Sequence, residues 1–307
     1  MPPTKRRQNG DYMVSHSKVG QIALNIIFIG LVVFCLAPFV MLISSSLSSE
    51  AALGEYGYGF FPRDFSLAAY LYMFQSGGKI FRAYGITIFV TAIGTACSVL
   101  ITILFAYPLS RKETPFRNVF AFFLFFTMLF NGGLVPTYIM WTQTFHIRNT
   151  IFALLIPSLL MSAFNVILMR SYFTANVPNE IIEAARMDGA REFRILFGIV
   201  VPLSKPMMAT IALMIALRYW NDWTNSLYYV NEEQLFSIQA ILNNMLTNIQ
   251  FLANNTNLNM DASTLGSLPS ASIRMAIAVV GVLPILIVYP FFQKYFVKGI
   301  VVGGIKG

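Results

Sequence analysis

EAARMDGAREFRILFGIVVP, residues 183–202, crowds its charges into the first twelve positions and lies between two long apolar runs. Just upstream, Pro178 and Asn179 followed by Glu180 and Glu183 make a helix start, with acidic groups in the first turn where the helix dipole favours them. Asp188 and Gly189 supply the turn chemistry that stops this helix. Beyond the turn, Phe193, Leu196, Phe197 and Val200 recur at i, i+3, i+4 and i+7, so a second helix carries one apolar stripe. Arg191, Glu192 and Arg194 sit elsewhere on its surface, and Pro202 and Pro206 close the segment. Amphipathicity alone leaves two readings open: a helix pair with its greasy side on lipid, or one that fills a groove on a protein.

The surrounding chain decides the solvent. Of the 307 residues 56% are hydrophobic and only 11% charged, and the mean hydropathy is +0.65, far from the balance of a soluble domain. Six apolar runs, at 22–47, 85–109, 119–141, 151–169, 207–230 and 275–297, are long enough to cross a hydrocarbon layer about 30 Å thick as helices. A membrane β-barrel would alternate apolar and polar positions, because lipid-facing and lumen-facing side chains alternate, and these runs do not. The first run follows Lys5, Arg6 and Arg7 as a signal peptide would, but its 26 residues exceed an apolar signal core of about 7 to 15, so it is read as a span.

Charge then orients the bundle. With both termini inside, fifteen of the 21 Lys and Arg residues fall on inner segments and four on outer ones, as the positive-inside rule requires. The same asymmetry accounts for the net charge of +8 and disfavours nucleic acid as a partner. Cys35 and Cys97 lie inside apolar spans and read as small core residues, with no disulfide framework or thiol metal site. His16 and His146 are far apart in polar flanks, which speaks against a paired histidine metal site.

The predicted organisation is an inner tail at 1–21, a six-helix membrane domain at 22–297 and an inner tail at 298–307. Within the domain lie the charged inner loop at 178–206 and an Asn-rich outer loop at 231–273. In the outer segment after the first span, FSLAAYLYMF (65–74) predicts a short helix near the membrane surface. Asn131, Gly132, Gly133 and Pro136 interrupt the third span, and a broken helix at membrane depth is tolerated only against protein or a wet cavity. Asn254, Asn255 and Thr256 spell a glycosylation sequon, relevant only in a glycosylating secretory system.

The wording of residues 183–202 resembles the cytoplasmic EAA loop of bacterial ABC importer permeases, whose pattern is EAA, three residues, G, nine residues, then IxLP. Glu183, Ala184, Ala185, Gly189, Ile199 and Pro202 fall at the matching places, Asp188 precedes the glycine as it often does in the family, and Val201 replaces the usual Leu. The resemblance implies an all-α permease of the type I importer fold whose loop is a coupling helix docking on a cytoplasmic ATPase. By that resemblance the docking residues are Glu183, Ala184, Ala185, Asp188, Gly189, Ala190, Arg191 and Phe193, with Glu183 pairing with a basic residue of the ATPase. No GxxxxGK[ST] phosphate loop occurs in the chain, so the ATP and Mg would be held by partner subunits and the permease itself would bind no cofactor.

FNGGLVPTYI (130–139), SAFNVILMR (162–170), RYWNDWTNSLYY (218–229) and FFQKYFVKGIVVGGIKG (291–307) extend the resemblance to carbohydrate-importer permeases over nearly the whole chain. They are similar to the smaller permease of the maltose transporter, and closer to a branch for complex and plant-derived oligosaccharides. The resemblance implies a heterodimer with a second homologous permease, two ATPase subunits, and an extracytoplasmic sugar-binding protein meeting the 231–273 loop. The tail at 299–307 would lie against the ATPase pair.

Substrate-pathway candidates follow from chemistry at membrane depth. Arg218 and Asp222 are i, i+4 neighbours able to pair, and burying either charge alone near mid-bilayer costs about 3 kcal/mol. Trp220, Asn221 and Trp223 could stack on sugar rings and bind hydroxyls, while Tyr228 and Tyr229 read equally as an outer aromatic belt. Asn131 and Asn165 are further candidates, though a membrane Asn more often bonds a neighbouring helix. A secondary transporter would need carboxylates for a coupling ion, and only Asp222 lies within a span; an intramembrane enzyme would need a histidine or acidic pair there. Arg218 and Arg274 would suit a uronate-containing cargo and would equally suit structural roles.

Overall fold

The computed structural model describes residues 18–75, 77–254 and 270–303. Residues 1–17, residue 76, residues 255–269 with two of the three sequon residues, and residues 304–307 lie outside the described residues. Among the described residues the chain is helical, with one isolated bridge between Ser48 and Phe65.

Apolar length makes three unbroken spans. The first helix, α1 (Lys18–Ser46), carries the first apolar run, and none of its most apolar window is buried within the chain, so its side chains face outward. The fourth helix, α4 (Gly77–Ser110), and the last, α15 (Ser270–Gly303), are 34 residues each and form the other two. The helix α15 runs continuously past residue 297, through the boundary expected between the last span and the tail.

The segment between α1 and α4 holds two short helices. The first, α2 (Glu50–Tyr56), is capped by Ser49, whose hydroxyl accepts from Ala52 N–H at 3.2 Å. The second, α3 (Ala68–Gln75), agrees with the helix expected in 65–74 and buries Ala69 and Met73. The Glu50 carboxylate accepts from the Ala271 and Ser272 backbone N–H groups at 2.8 and 3.0 Å, filling donors that the first turn of α15 leaves open.

The other expected spans are broken. The third bends by 115° between α5 (Arg117–Leu129) and α6 (Leu134–Ile139), which continues as a π turn over Met140–Thr144; the break falls at the Asn-Gly-Gly that sequence marks. The fourth is not one helix but α7 (Phe152–Leu155) and α8 (Ala163–Asn176), because Pro157 and Ser158, the latter with φ +60°, end the first piece. The fifth ends at Trp220 rather than residue 230: α12 (Lys205–Trp220) stops at Asn221 and α13 (Thr224–Tyr229) follows. Among the described residues three helices are long and apolar enough to cross a membrane, or up to five when each bent pair counts as one span, because the broken pieces fall short of spanning length one by one.

The charged loop forms α9 (Asn179–Met187), a turn, α10 (Glu192–Ile195), a π turn over Leu196–Val200 and α11 (Val201–Leu203). This second arm meets α12 at 85°, so it lies across the bundle axis. Within the segment expected as a loop at 231–273, Ile238–Asn254 forms α14, which buries Ile238, Ala240 and Leu242.

The main core lies among α4, α8 and α12, with Val166, Met169, Phe173, Ile211 and Ile215 fully shielded. Close approach of α4 to α12 depends on Gly94: a Cβ there would fall 2.4 to 2.7 Å from ring atoms of Tyr219. The Tyr219 hydroxyl in turn donates to the Leu155 carbonyl at 2.8 Å, fastening α12 to α7. Cys35 and Cys97 are exposed rather than core residues.

Candidate functional site

Gly189 has φ +78°, a left-handed conformation that side-chain-bearing residues adopt at a cost, and it turns the chain between α9 and α10. Its backbone N–H donates to the Arg186 carbonyl at 2.9 Å, and the Ala190 N–H to the Ala185 carbonyl at 3.0 Å, so the turn is closed by main-chain bonds. Ile182, Ile195, Leu196 and Val200 form the loop's buried face, with Ala185 and Ala190 packed against the same core. The apolar stripe expected over Phe193, Leu196, Phe197 and Val200 is therefore split: Phe193 is 70% exposed and Phe197 46%, because the π turn rotates the face by widening the helix. Glu183, Ala184, Met187, Asp188 and Arg191 are also exposed, so Glu183, Met187 and Phe193 together offer an acid and two large apolar side chains outward.

The loop is braced from behind by residues that sequence reasoning did not single out. Tyr107, near the end of α4, donates to the Glu192 carboxylate at 2.7 Å. Arg186 donates to the other Glu192 oxygen through Nε at 3.0 Å and Nη2 at 2.9 Å, and its Nη1 lies 3.9 Å from Glu113. Burial pushes the Glu192 carboxyl up, but the Tyr107 and Arg186 bonds outweigh it and hold the group below the ordinary carboxylate range. Arg111, buried beside them, donates to the Asn179 side chain at 3.1 Å and lies over the Tyr107 ring at 5.3 Å. A cleft of about 390 Å³ separates the α4–α5 connection from Phe193 and Leu196. Arg111 and Glu113 were visible in sequence only as charges flanking a span.

At membrane depth the polar candidates separate. Arg218 and Asp222 do not pair: Arg218 Nη2 donates to the Ser158 carbonyl at 2.6 Å, whereas Asp222 accepts from the Thr224 hydroxyl at 2.7 Å and the Asn225 N–H at 3.3 Å. The chain break at Asn221 turns the Asp222 carboxylate toward the start of α13, away from Arg218. Asn225, not a sequence candidate, donates to the Pro157 carbonyl at 3.0 Å. Trp220 is buried and donates to the Gly281 carbonyl at 3.1 Å, and Asn165 is buried in α8. Asn131 accepts from the Gly133 N–H at 2.8 Å within its own turn and is exposed, as are Asn221 and Trp223. Tyr229 is buried and stacks on Tyr138 at 5.9 Å, while Tyr228 is exposed.

An amphipathic, charged turn joined at 85° to an apolar helix, within a bundle of membrane-length helices, is the arrangement expected of a transport permease with a docking loop. The family described as "Binding-protein-dependent transport system inner membrane component" matches residues 98–302, a range that includes the whole loop and its braces. The chain belongs to this family. It is therefore a multi-pass membrane permease of a binding-protein-dependent ABC importer, a non-catalytic transport subunit that works with an ATPase and a substrate-binding protein.

This permease is 35% identical to Protein LplC of Bacillus subtilis (strain 168) over 96% of its own length and 99% of that protein's. It is 36% identical to the polygalacturonan/rhamnogalacturonan transport system permease protein YtcP of the same organism, over 89% and 93% of the two chains. Among solved structures it superposes with TM-score 0.74 and 32% identity on a chain from the crystal structure of a bacterial ABC transporter involved in the import of the acidic polysaccharide alginate, covering 91% of this permease and 98% of that chain.

Proposed function

We propose that this permease imports an oligosaccharide by ATP-driven alternating access, with residues 178–206 on the cytoplasmic side seated in a groove of the ATPase. The observation that carries the reading is the exposed Glu183, Met187 and Phe193 around a turn whose back is bonded to α4: a docking knuckle on a rigid mount. Force applied to such a knuckle reaches α4 through Tyr107 and Arg111, and reaches α12 through the 85° junction.

In the assembled transporter the chain pairs with a second homologous permease, two ATPase subunits hold the ATP and Mg, and an extracytoplasmic sugar-binding protein delivers cargo to the 231–273 side. Both termini lie in the cytoplasm, and α7 with α8 makes the sixth crossing of the 22–297 domain. Relatives named for polygalacturonan/rhamnogalacturonan transport and alginate import support a saccharide cargo.

Reconstitution of the permease pair with its ATPase and binding protein tests this: oligosaccharides should stimulate ATP hydrolysis and enter proteoliposomes. Glu183→Ala should weaken ATPase association and uptake together. Unchanged transport and association in that variant would remove the coupling role, and uptake without any ATPase would remove the importer reading.

A further inference from the structure

Three successive membrane helices are short, and two of their breaks meet. Measured from the ends that adjoin the charged loop, α5 runs 13 residues before Phe130, α8 spans 14 residues from Asn176 back to Ala163, and α12 runs 16 residues before Asn221. At 1.5 Å per residue they are about 20 to 24 Å long, short of the hydrocarbon layer. Unwound backbone at that depth must abut protein or line a wet cavity. Two of the breaks are stitched together by Arg218 to Ser158, Tyr219 to Leu155 and Asn225 to Pro157.

Arg218 stands at this level on an exposed strip, with Met214 one turn before it and Asn221 three residues after it, both exposed as well. Among the described residues it forms no ion pair, and one of its five N–H donors is used, on Ser158. Asp222 is occupied at the start of α13. A cation facing lipid at such depth is costly, so this strip faces protein or the water-filled path, and the open donors of Arg218 suit the path.

We propose that Arg218 is a specificity-determining residue of the translocation path that pairs with carboxylates of an acidic, uronate-type oligosaccharide as they pass the level where these two breaks meet. The proposal rests on the saccharide cargo inferred above and adds its charge. A neutral sugar needs hydroxyl partners only, whereas a planar guanidinium with open donors matches a carboxylate. Asn221 beside it donates to the Leu217 carbonyl at 2.9 Å and keeps its amide oxygen for sugar hydroxyls.

The test uses the complete transporter in proteoliposomes, with trigalacturonate and its fully methyl-esterified form as probes. Arg218→Gln keeps a donor for the Ser158 carbonyl and removes the charge; Arg218→Lys keeps the charge. Uptake of the acid should fall about tenfold or more in Arg218→Gln, fall less in Arg218→Lys, and fall more than uptake of the ester. Equal losses for acid and ester, or equal activity in the two variants, would make Arg218 structural and overturn the proposal. Should Arg218→Gln fail to assemble, the wild-type protein still decides, because import of the ester as readily as the acid contradicts carboxylate recognition. That result would leave oligosaccharide import standing; failure of every saccharide to enter would remove both.

Discussion

The Tyr107 hydroxyl donates a 2.7 Å hydrogen bond to the Glu192 carboxylate, joining the last turns of α4 to the first turn of α10. Glu192 is simultaneously held by Arg186, so one carboxylate ties both arms of the charged loop to a membrane-spanning helix. A motion imposed on the loop is thereby passed on to α4 rather than absorbed by the turn.

Removing this tie should uncouple the two activities. Tyr107→Phe loses a hydrogen bond worth about 1 kcal/mol and leaves the ring under Arg111. The expected outcome is less sugar imported per ATP hydrolysed, with the subunits still co-purifying. Glu192→Gln also gives up the ion pair with Arg186, so its own loss should be the larger, but the double variant should lose less than the sum of the two single losses; strictly additive losses in a double-mutant cycle would contradict the tie.

Acid should loosen the same junction. The Glu192 carboxyl lies below its ordinary value in the fold, so its contribution is present above that value, about 4.3, and is lost as pH falls through it and below. Protection factors of the amides in residues 186–195, corrected for the intrinsic pH dependence of exchange, should fall on acidification through the Glu192 titration in the wild type, and Glu192→Gln should flatten this dependence.

The α4–α12 contact has no room for a methyl group at Gly94. In Gly94→Ala the new Cβ meets a Tyr219 ring that cannot swing away without giving up its bond to Leu155. Overpacking of this kind costs about 1 to 3 kcal/mol, so the detergent-solubilised protein should melt several degrees lower. A melting temperature equal to that of the wild type would mean that the two helices sit farther apart.

Space is not the constraint at Gly189, where an added Cβ meets nothing within 4 Å, but φ +78° is. Gly189→Val should strain the turn by about 1 to 2 kcal/mol and misalign Glu183 relative to Phe193, lowering recovery of the ATPase in pull-downs. Gly189→Asn, which tolerates this conformation better, should retain most of the binding.

Local pattern revealed much of this molecule and missed particular joints for identifiable reasons. The break at Asn131 to Gly133 was legible because three helix-weakening residues are adjacent. The breaks at Pro157–Ser158 and Asn221–Trp223 were hidden because the surrounding residues are apolar enough to keep a hydropathy window high. The exposure of Phe193 escaped a periodicity argument because a π turn shifts the face by one residue. Arg111 and Glu113 read as flanking charge, since nothing in their neighbourhood along the chain points to Asn179 or Arg186.

Sequence by itself determined the solvent, the helical class and the turn at Gly189, because these follow from composition, run length and local backbone chemistry, while the family was legible only as a resemblance, carried above all by the wording of residues 183–202. Tertiary structure alone decided that Tyr107 meets Glu192 across 85 positions and that Arg218 meets Ser158 across 60 instead of Asp222 one turn away. Partners this distant are chosen by helix register, crossing angle and the places where helices unwind, and a single bend turns a neighbouring carboxylate away while bringing a remote carbonyl within reach.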